Sequence, residues 1–212
     1  MIDLHTHTVF SDGELIPSEL VRRAVVNGYQ AIAITDHADY TNIEQLVEAA
    51  EKAKYLEDVF DITILSGVEL THVPPAKIEP LVEKSRKLGA DVIVVHGETV
   101  TEPVASGTNS TVAELGEVDI LSHPGLIIED DAQKATDNDI CLEITSRKGH
   151  SITNGHVAKV GLEVGATMVV NTDTHGPEDL ITTDMARKIA LGSGLDEKQA
   201  DVILSNSKRF IT

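Results

Sequence analysis

A chain of 212 residues, 41% hydrophobic and 25% charged, can bury a sizeable core without staples, and residues 1–212 read as one domain. Its formal net charge of −18 argues against a broad nucleic-acid surface, whose affinity comes largely from Lys and Arg neutralising phosphates; a pocket made locally cationic by bound metals could still take a phosphate substrate. One cysteine excludes an internal disulfide, no apolar run approaches the ~20 residues that span a bilayer, and Met1-Ile2-Asp3-Leu4-His5 is no secretory leader, so the expected location is the cytoplasm, off the membrane.

In chain order, short Val- and Ile-rich runs alternate with amphipathic stretches, the pattern of repeated βα units. Strands are predicted near Ile2 to Thr6, Ala31 to Thr35, Ile62 to Glu69, Asp91 to Val95, Asp119 to Ser122, Ile140 to Thr145 and Thr167 to Asn171. Pro17 suits a first helical turn, with Gly28 as its stop, and Gly89 ends a helix from about Ile78 to Leu88. Other helices are predicted near Asn42 to Leu56, Thr111 to Gly116, Asp130 to Asn138, Asn154 to Val164, Asp184 to Leu191 and Glu197 to Leu204. Gly97 to Ser110 is a longer irregular stretch, of the size expected of a functional lid.

Histidines and carboxylates recur just past the predicted strand ends: His5, His7, Asp12, His37, Glu69, His96, His123, Asp173 and His175. Imidazole and carboxylate together suit Zn²⁺, Mn²⁺ or Fe²⁺, and nine candidates exceed the ligands of one tetrahedral or octahedral ion. The expected centre is therefore multinuclear. Residues at so many strand ends converge only if those ends ring a common mouth, which favours a closed parallel barrel over an open sheet. In strand one, period-two geometry puts His5 and His7 on one face, and Asp173 and His175 repeat that spacing after the last strand.

His5-Thr6-His7-Thr8 with Ser11-Asp12-Gly13, Ile34-Thr35-Asp36-His37, Gly67-Val68-Glu69, His96-Gly97, Ser122-His123-Pro124 and Asn171-Thr172-Asp173-Thr174-His175 follow one another in order. In this the chain resembles, from residue 2 to residue 175, the polymerase and histidinol phosphatase (PHP) family. The resemblance implies an α/β fold, a distorted TIM-like (β/α)7 barrel, with three divalent ions of Zn, Mn or Fe. It also implies hydrolysis of a small phosphorylated substrate, such as the monoester histidinol phosphate. Carried onto these positions, it gives His5, His7, Glu69 and Asp173 to the first ion, Glu69, His96 and His123 to the second, and Asp12, His37 and His175 to the third. Asp12 stands where some members carry a histidine.

The expected nucleophile is a metal-bridging hydroxide held by Glu69 and Asp173, with no covalent phosphoenzyme. Cys141 lies within a predicted strand, away from the cluster. His72 is a candidate proton donor, set against a hydrogen-bonded loop histidine. Arg147 and Lys148, past strand six, are candidates to clamp phosphate, set against a solvated pair. Asp36 reads as a group that orients a ligand, and His150 and His156 read as surface or capping groups. Three rivals are a phosphodiesterase or nucleotide hydrolase on the same site, an amidohydrolase with a carbonyl target, and a ribonuclease P-like scaffold subunit. No Lys at a predicted strand end supports the amidohydrolase, and nine retained ligand types on an acidic chain favour catalysis over scaffolding.

Overall fold

The Val- and Ile-rich runs form parallel strands in a computed structural model that describes residues 1–211. The strands are β1 (Ile2–Asp3), β2 (Ala31–Ile34), β3 (His37–Ala38), β4 (Thr63–Leu70), β5 (Val92–His96), β6 (Ile120–Ser122), β7 (Cys141–Thr145) and β8 (Met168–Asn171). The sheet runs β1-β2-β4-β5-β6-β7-β8, with β3 paired to β4, and every ladder is parallel. The ring closes by a parallel bridge between Thr6 and Thr174, supported by His7 N–H donating to Thr174 O (2.8 Å) and Asp173 N–H to His5 O (3.0 Å). This is the expected TIM-like barrel.

The helices are α1 (Pro17–Val26), α2 (Ile43–Ala53), α3 (Ile78–Leu88), α4 (Thr108–Val112), α5 (Glu129–Asp137), α6 (Asn154–Val164), α7 (Thr183–Gly192) and α8 (Glu197–Asn206). Their apolar faces pack on the outside of the strands in two clusters, one around Leu20, Ile32 and Ile64 and one around Leu81, Ile93 and Leu142. Inside the barrel lies a third, containing Leu4, Ala33, Leu65, Val94, Ile120, Cys141 and Val169. No helix among the described residues is long and apolar enough to cross a membrane.

Three elements differ from expectation. The first strand is ladder-bonded only at Ile2–Asp3, because the next donors turn to side chains: Leu4 N–H to Asn171 Oδ1 and Thr6 N–H to Thr35 Oγ1. Predicted helix 111–116 instead spans Thr108–Val112, its start tied down by Asn109 N–H to Glu98 Oε1 and Glu98 N–H to Asn109 Oδ1. β3 is an eighth strand, so short that its alternation is invisible in the sequence. Its register sets His37 directly beside Glu69.

Candidate metal centre

Above the apolar barrel interior, the period-two positions turn polar. Leu65 is followed by Glu69, Val94 by His96, Ile120 by Ser122, Cys141 by Glu143 and Val169 by Asn171 and Asp173, so the barrel's upper layer is built of imidazoles, carboxylates and their hydrogen-bond partners. All nine sequence-selected residues meet there. His5, His7 and Glu69 form one group whose ligand atoms lie within 4.8 Å of one another; His5, His123 and Asp173 form a second, and His7, Asp12, His37 and His175 a third. A fourth consists of His96, His123 and His150.

Backbone geometry places several of them. His123 (φ 27°) and Asp173 (φ 54°) occupy the left-handed region, which a β-carbon disfavours, and such strain persists only where surrounding bonds hold it. Gly97, directly after His96, cannot carry a side chain, because its Cβ would lie 2.4 Å from Ser122 O. That close approach packs the end of β5 against β6. Gly13 serves the turn that holds Asp12, where a Cβ would meet His7 O at 2.6 Å.

The buried donors are left facing one another. His5 Nε2 is 3.2 Å from Glu69 Oε1 and His7 Nε2 is 3.2 Å from Asp173 Oδ1, yet neither nitrogen is aligned for a hydrogen bond. His7 Nδ1, His123 Nδ1 and Asp173 Oδ1 are likewise buried without a partner. Buried polar atoms are nearly always hydrogen-bonded, so this concentration of orphans fits residues whose partners are cations. Burial, reinforced by the neighbouring His37 for His7 and His96 for His123, holds both imidazoles well below their usual pKa, in the neutral form that ligates metal. Burial likewise pushes Asp173 up to about 7, against the pull of His5. On the outer side, Asp12 Oδ1 is 3.3 Å from His37 Nε2 and 3.2 Å from His175 Nε2.

Several supporting residues stand behind this layer. Buried Glu143 accepts from His5 Nδ1 (2.8 Å), His123 N–H (3.1 Å) and Asn171 Nδ2 (2.9 Å), fixing the His5 ring with Nε2 turned inward. The sequence signal for it was its period-two position after Cys141. Asp36 accepts from Thr8 N–H and Oγ1 (both 2.7 Å) and from Ser11 Oγ (2.6 Å), so it shapes the turn carrying Asp12. Glu69 receives Ser122 Oγ on Oε1 and faces His37 Nδ1 at 2.7 Å through Oε2.

The centre opens into a cavity of about 430 Å³. Arg147 lines it and donates from Nη1 to Asp179 Oδ2 (2.9 Å), a carboxylate that also receives the N–H groups of His175 and Gly176. Lys148 is exposed and lines a neighbouring depression beside Glu14 and Glu178. His72 (φ 53°) is on the cavity wall with Nε2 3.3 Å from Glu102 Oε2. His156 Nε2 hydrogen-bonds Ile127 O, away from the centre. The expectation for His150 was wrong: it is 7% exposed and stacks on His123 at 4.2 Å, because the segment after β7 folds back into the mouth. Glu102, which sequence reasoning passed over, belongs to the irregular stretch after Gly97 and reaches His96 at 3.1 Å.

Comparison with known proteins agrees with this geometry. Residues 3–146 match the family model described as the PHP domain. Over 203 residues the chain is 53% identical to an uncharacterized protein of Methanocaldococcus jannaschii, covering 94% of this chain and 92% of that one. It is 26% identical to a probable phosphatase of Aliivibrio fischeri, covering all of this chain and 92% of that protein. It is also 30% identical over 150 residues to ribonuclease P protein component 3 of Methanosarcina barkeri, covering 68% of this chain and 56% of that one. A chain in a cryo-EM structure of archaeal ribonuclease P with mature tRNA superposes with a TM-score of 0.72 at 16% identity, covering 98% of this chain and 89% of that one, a likeness of fold.

Proposed function

Because the chain belongs to the PHP domain family, we propose that it is a metal-dependent phosphoric ester hydrolase acting on a small phosphomonoester. The observation that carries this reading is the set of orphaned, buried imidazole and carboxylate atoms beneath an open cavity. His5, His7, Glu69 and Asp173 would hold one ion, Glu69, His96 and His123 another, and Asp12, His37 and His175 a third. Zinc, manganese or iron suits this donor set. Such ions, when bound, supply Lewis acidity, a water acidified towards neutral pH, and positive charge opposite phosphate.

The chain's own residues do the rest. Glu69 presents its carboxylate oxygens to His5, His37 and His123, Asp173 presents its own to His7, His123 and His175, and Glu143 keeps the His5 ring oriented. Arg147, at the cavity wall, binds the non-bridging oxygens of the phosphate in a charge-assisted contact. His72, across the same cavity, gives a proton to the leaving group. Cys141 is no nucleophile: it is enclosed in the barrel interior, and burial pushes its thiol up to about 12.

The identity with a ribonuclease P component supplies a second reading, an RNA-associated subunit. The net charge of −18 and the intact ligand layer favour hydrolysis. Metal-reconstituted protein screened against phosphomonoesters and phosphodiesters should hydrolyse monoesters faster. A single turnover in ¹⁸O-water should place one solvent oxygen in phosphate, with no phosphoprotein trapped by acid quench. No turnover on either class, together with tight binding to structured RNA, would replace the first reading with the second.

A further inference from the structure

Outside the nine strand-end residues, three side chains converge on one point at the cavity mouth. Glu102 Oε2 is 3.1 Å from His96 Nε2 and 3.3 Å from His72 Nε2, and its Oε1 is 3.4 Å from His150 Nε2. Given the metal-dependent reading above, on which this rests, we infer that the ion held by His96 and His123 also takes His150 and Glu102 as ligands.

His150 has the habit of a metal ligand. Its Nδ1 is engaged by Thr99 Oγ1 (2.7 Å) and Thr101 Oγ1 (3.0 Å), which fixes the ring and turns Nε2 inward. A ligating histidine characteristically has one nitrogen hydrogen-bonded and the other aimed at the ion. His96 repeats the arrangement, with Nδ1 donating to Gly97 O (3.1 Å) and Nε2 directed at Glu102. The ligand atoms of His96, His123 and His150 lie within 4.8 Å of one another, and all three residues are buried. Three imidazoles and a carboxylate make a donor set suited to Zn²⁺, Mn²⁺ or Fe²⁺. An ordinary ion pair accounts for one imidazole beside Glu102. It does not account for a second, buried ring propped by two hydroxyls.

The consequence lies in where these groups sit on the chain. Thr99, Thr101 and Glu102 belong to the irregular segment after β5, so that segment supplies both a ligand and the props for another. Filling the site then ties the segment down over the cavity. Residues 97–107 become a lid latched by the ion itself.

The experiment titrates metal-free protein with Co²⁺ alone, reading the number and affinity of bound ions, the visible d–d spectrum, and amide exchange across residues 97–107. In the wild type, filling the sites should slow exchange in that segment. Glu102→Gln and His150→Gln should each weaken one ion by about tenfold or more, alter its spectrum and abolish the slowing. Glu102 is half-exposed and its replacement keeps its shape, so this variant tests the lid even where His150→Gln fails to fold. Wild-type affinity and spectrum in His150→Gln would remove His150, and the same result in Glu102→Gln would overturn the latch. Full occupancy in the wild type and both variants alike would sink this inference while leaving the metal-dependent reading intact; failure of the wild type to take up any ion would sink that reading instead.

Discussion

In the deep half of the centre, His5, His7 and Glu69 are fully buried: the β4–β5 ladder places Glu69, and backbone bonds to Asp173 and Thr174 place His5 and His7. On the opposite side, Glu102 and His72 are 38% and 44% exposed and come from connecting segments held mostly by side-chain contacts. The two halves meet at His96 and His123. The deep half is preorganised by the barrel and would keep its shape under most surface changes, whereas the rim half depends on a few hydroxyl and carboxylate contacts. Ion binding should therefore be governed from the deep half, and substrate choice and access from the rim.

The largest effect should come from Glu69→Ala. Its two oxygens serve His5 and Ser122 on one side and His37 on the other, so removing them strips donors from adjacent groups at once. Elemental analysis should show more than one ion lost per chain, and kcat/KM should fall on the order of 10³-fold. An unchanged metal content would mean that the deep half does not govern ion binding.

Arg147→Ala tests the rim. Loss of a charge-assisted phosphate contact should lower kcat/KM by on the order of 10²-fold, ~2–3 kcal/mol, with metal content unchanged and monoesters hurt more than diesters. Its bond to Asp179, which also receives the N–H of His175, gives the alternative outcome a clear signature. Loss of the third ion together with equal losses on both substrates would make Arg147 a prop for His175.

The same division explains what was legible in the sequence. The barrel and the nine ligand-type residues could be found because strand-end residues inherit the period-two alternation and recur once per βα unit. Glu143 obeys that alternation too, standing two residues beyond Cys141, but it lies inside the predicted strand Ile140 to Thr145 and not past its end, where the ligand-type residues recur. Glu102 and His150 carry no such signal: their directions come from Thr99, Thr101 and the fold-back after β7, contacts that no local pattern encodes. The shortened β1 has a similar cause, because Asn171 and Thr35 replace ladder acceptors from distant parts of the chain.

Glu143→Gln sharpens the comparison from within the deep half. The replacement keeps size and some hydrogen bonding but removes the negative charge that orients and strengthens His5 as a donor. Ion affinity at the His5 site should weaken about tenfold, the lower end of what lost support behind a ligating histidine costs. The measurement is a competition titration against a chelating dye. Affinity equal to wild type would mean that the barrel backbone alone fixes His5.

Lys148→Ala should have the smallest effect, and it separates two neighbours that the sequence presents as one cationic pair. Arg147 is half-buried on the cavity wall and held to Asp179, whereas Lys148 is exposed and lines only the adjoining depression with Glu14 and Glu178, which shares Asp12, Arg147 and His175 with the cavity. A solvated ammonium outside the cavity loses its field within about one Debye length, roughly 8 Å at physiological salt, and exposed substitutions generally change free energies by no more than ~0.5 kcal/mol. The expected change in kcat/KM is therefore at most about twofold, slightly larger at low ionic strength if the lysine contributes to steering an anionic substrate. A tenfold loss that persists at high salt would require Lys148 to touch the substrate directly. The rim would then have to close further over the cavity than this structure does, with residues 147 and 148 acting as one fork.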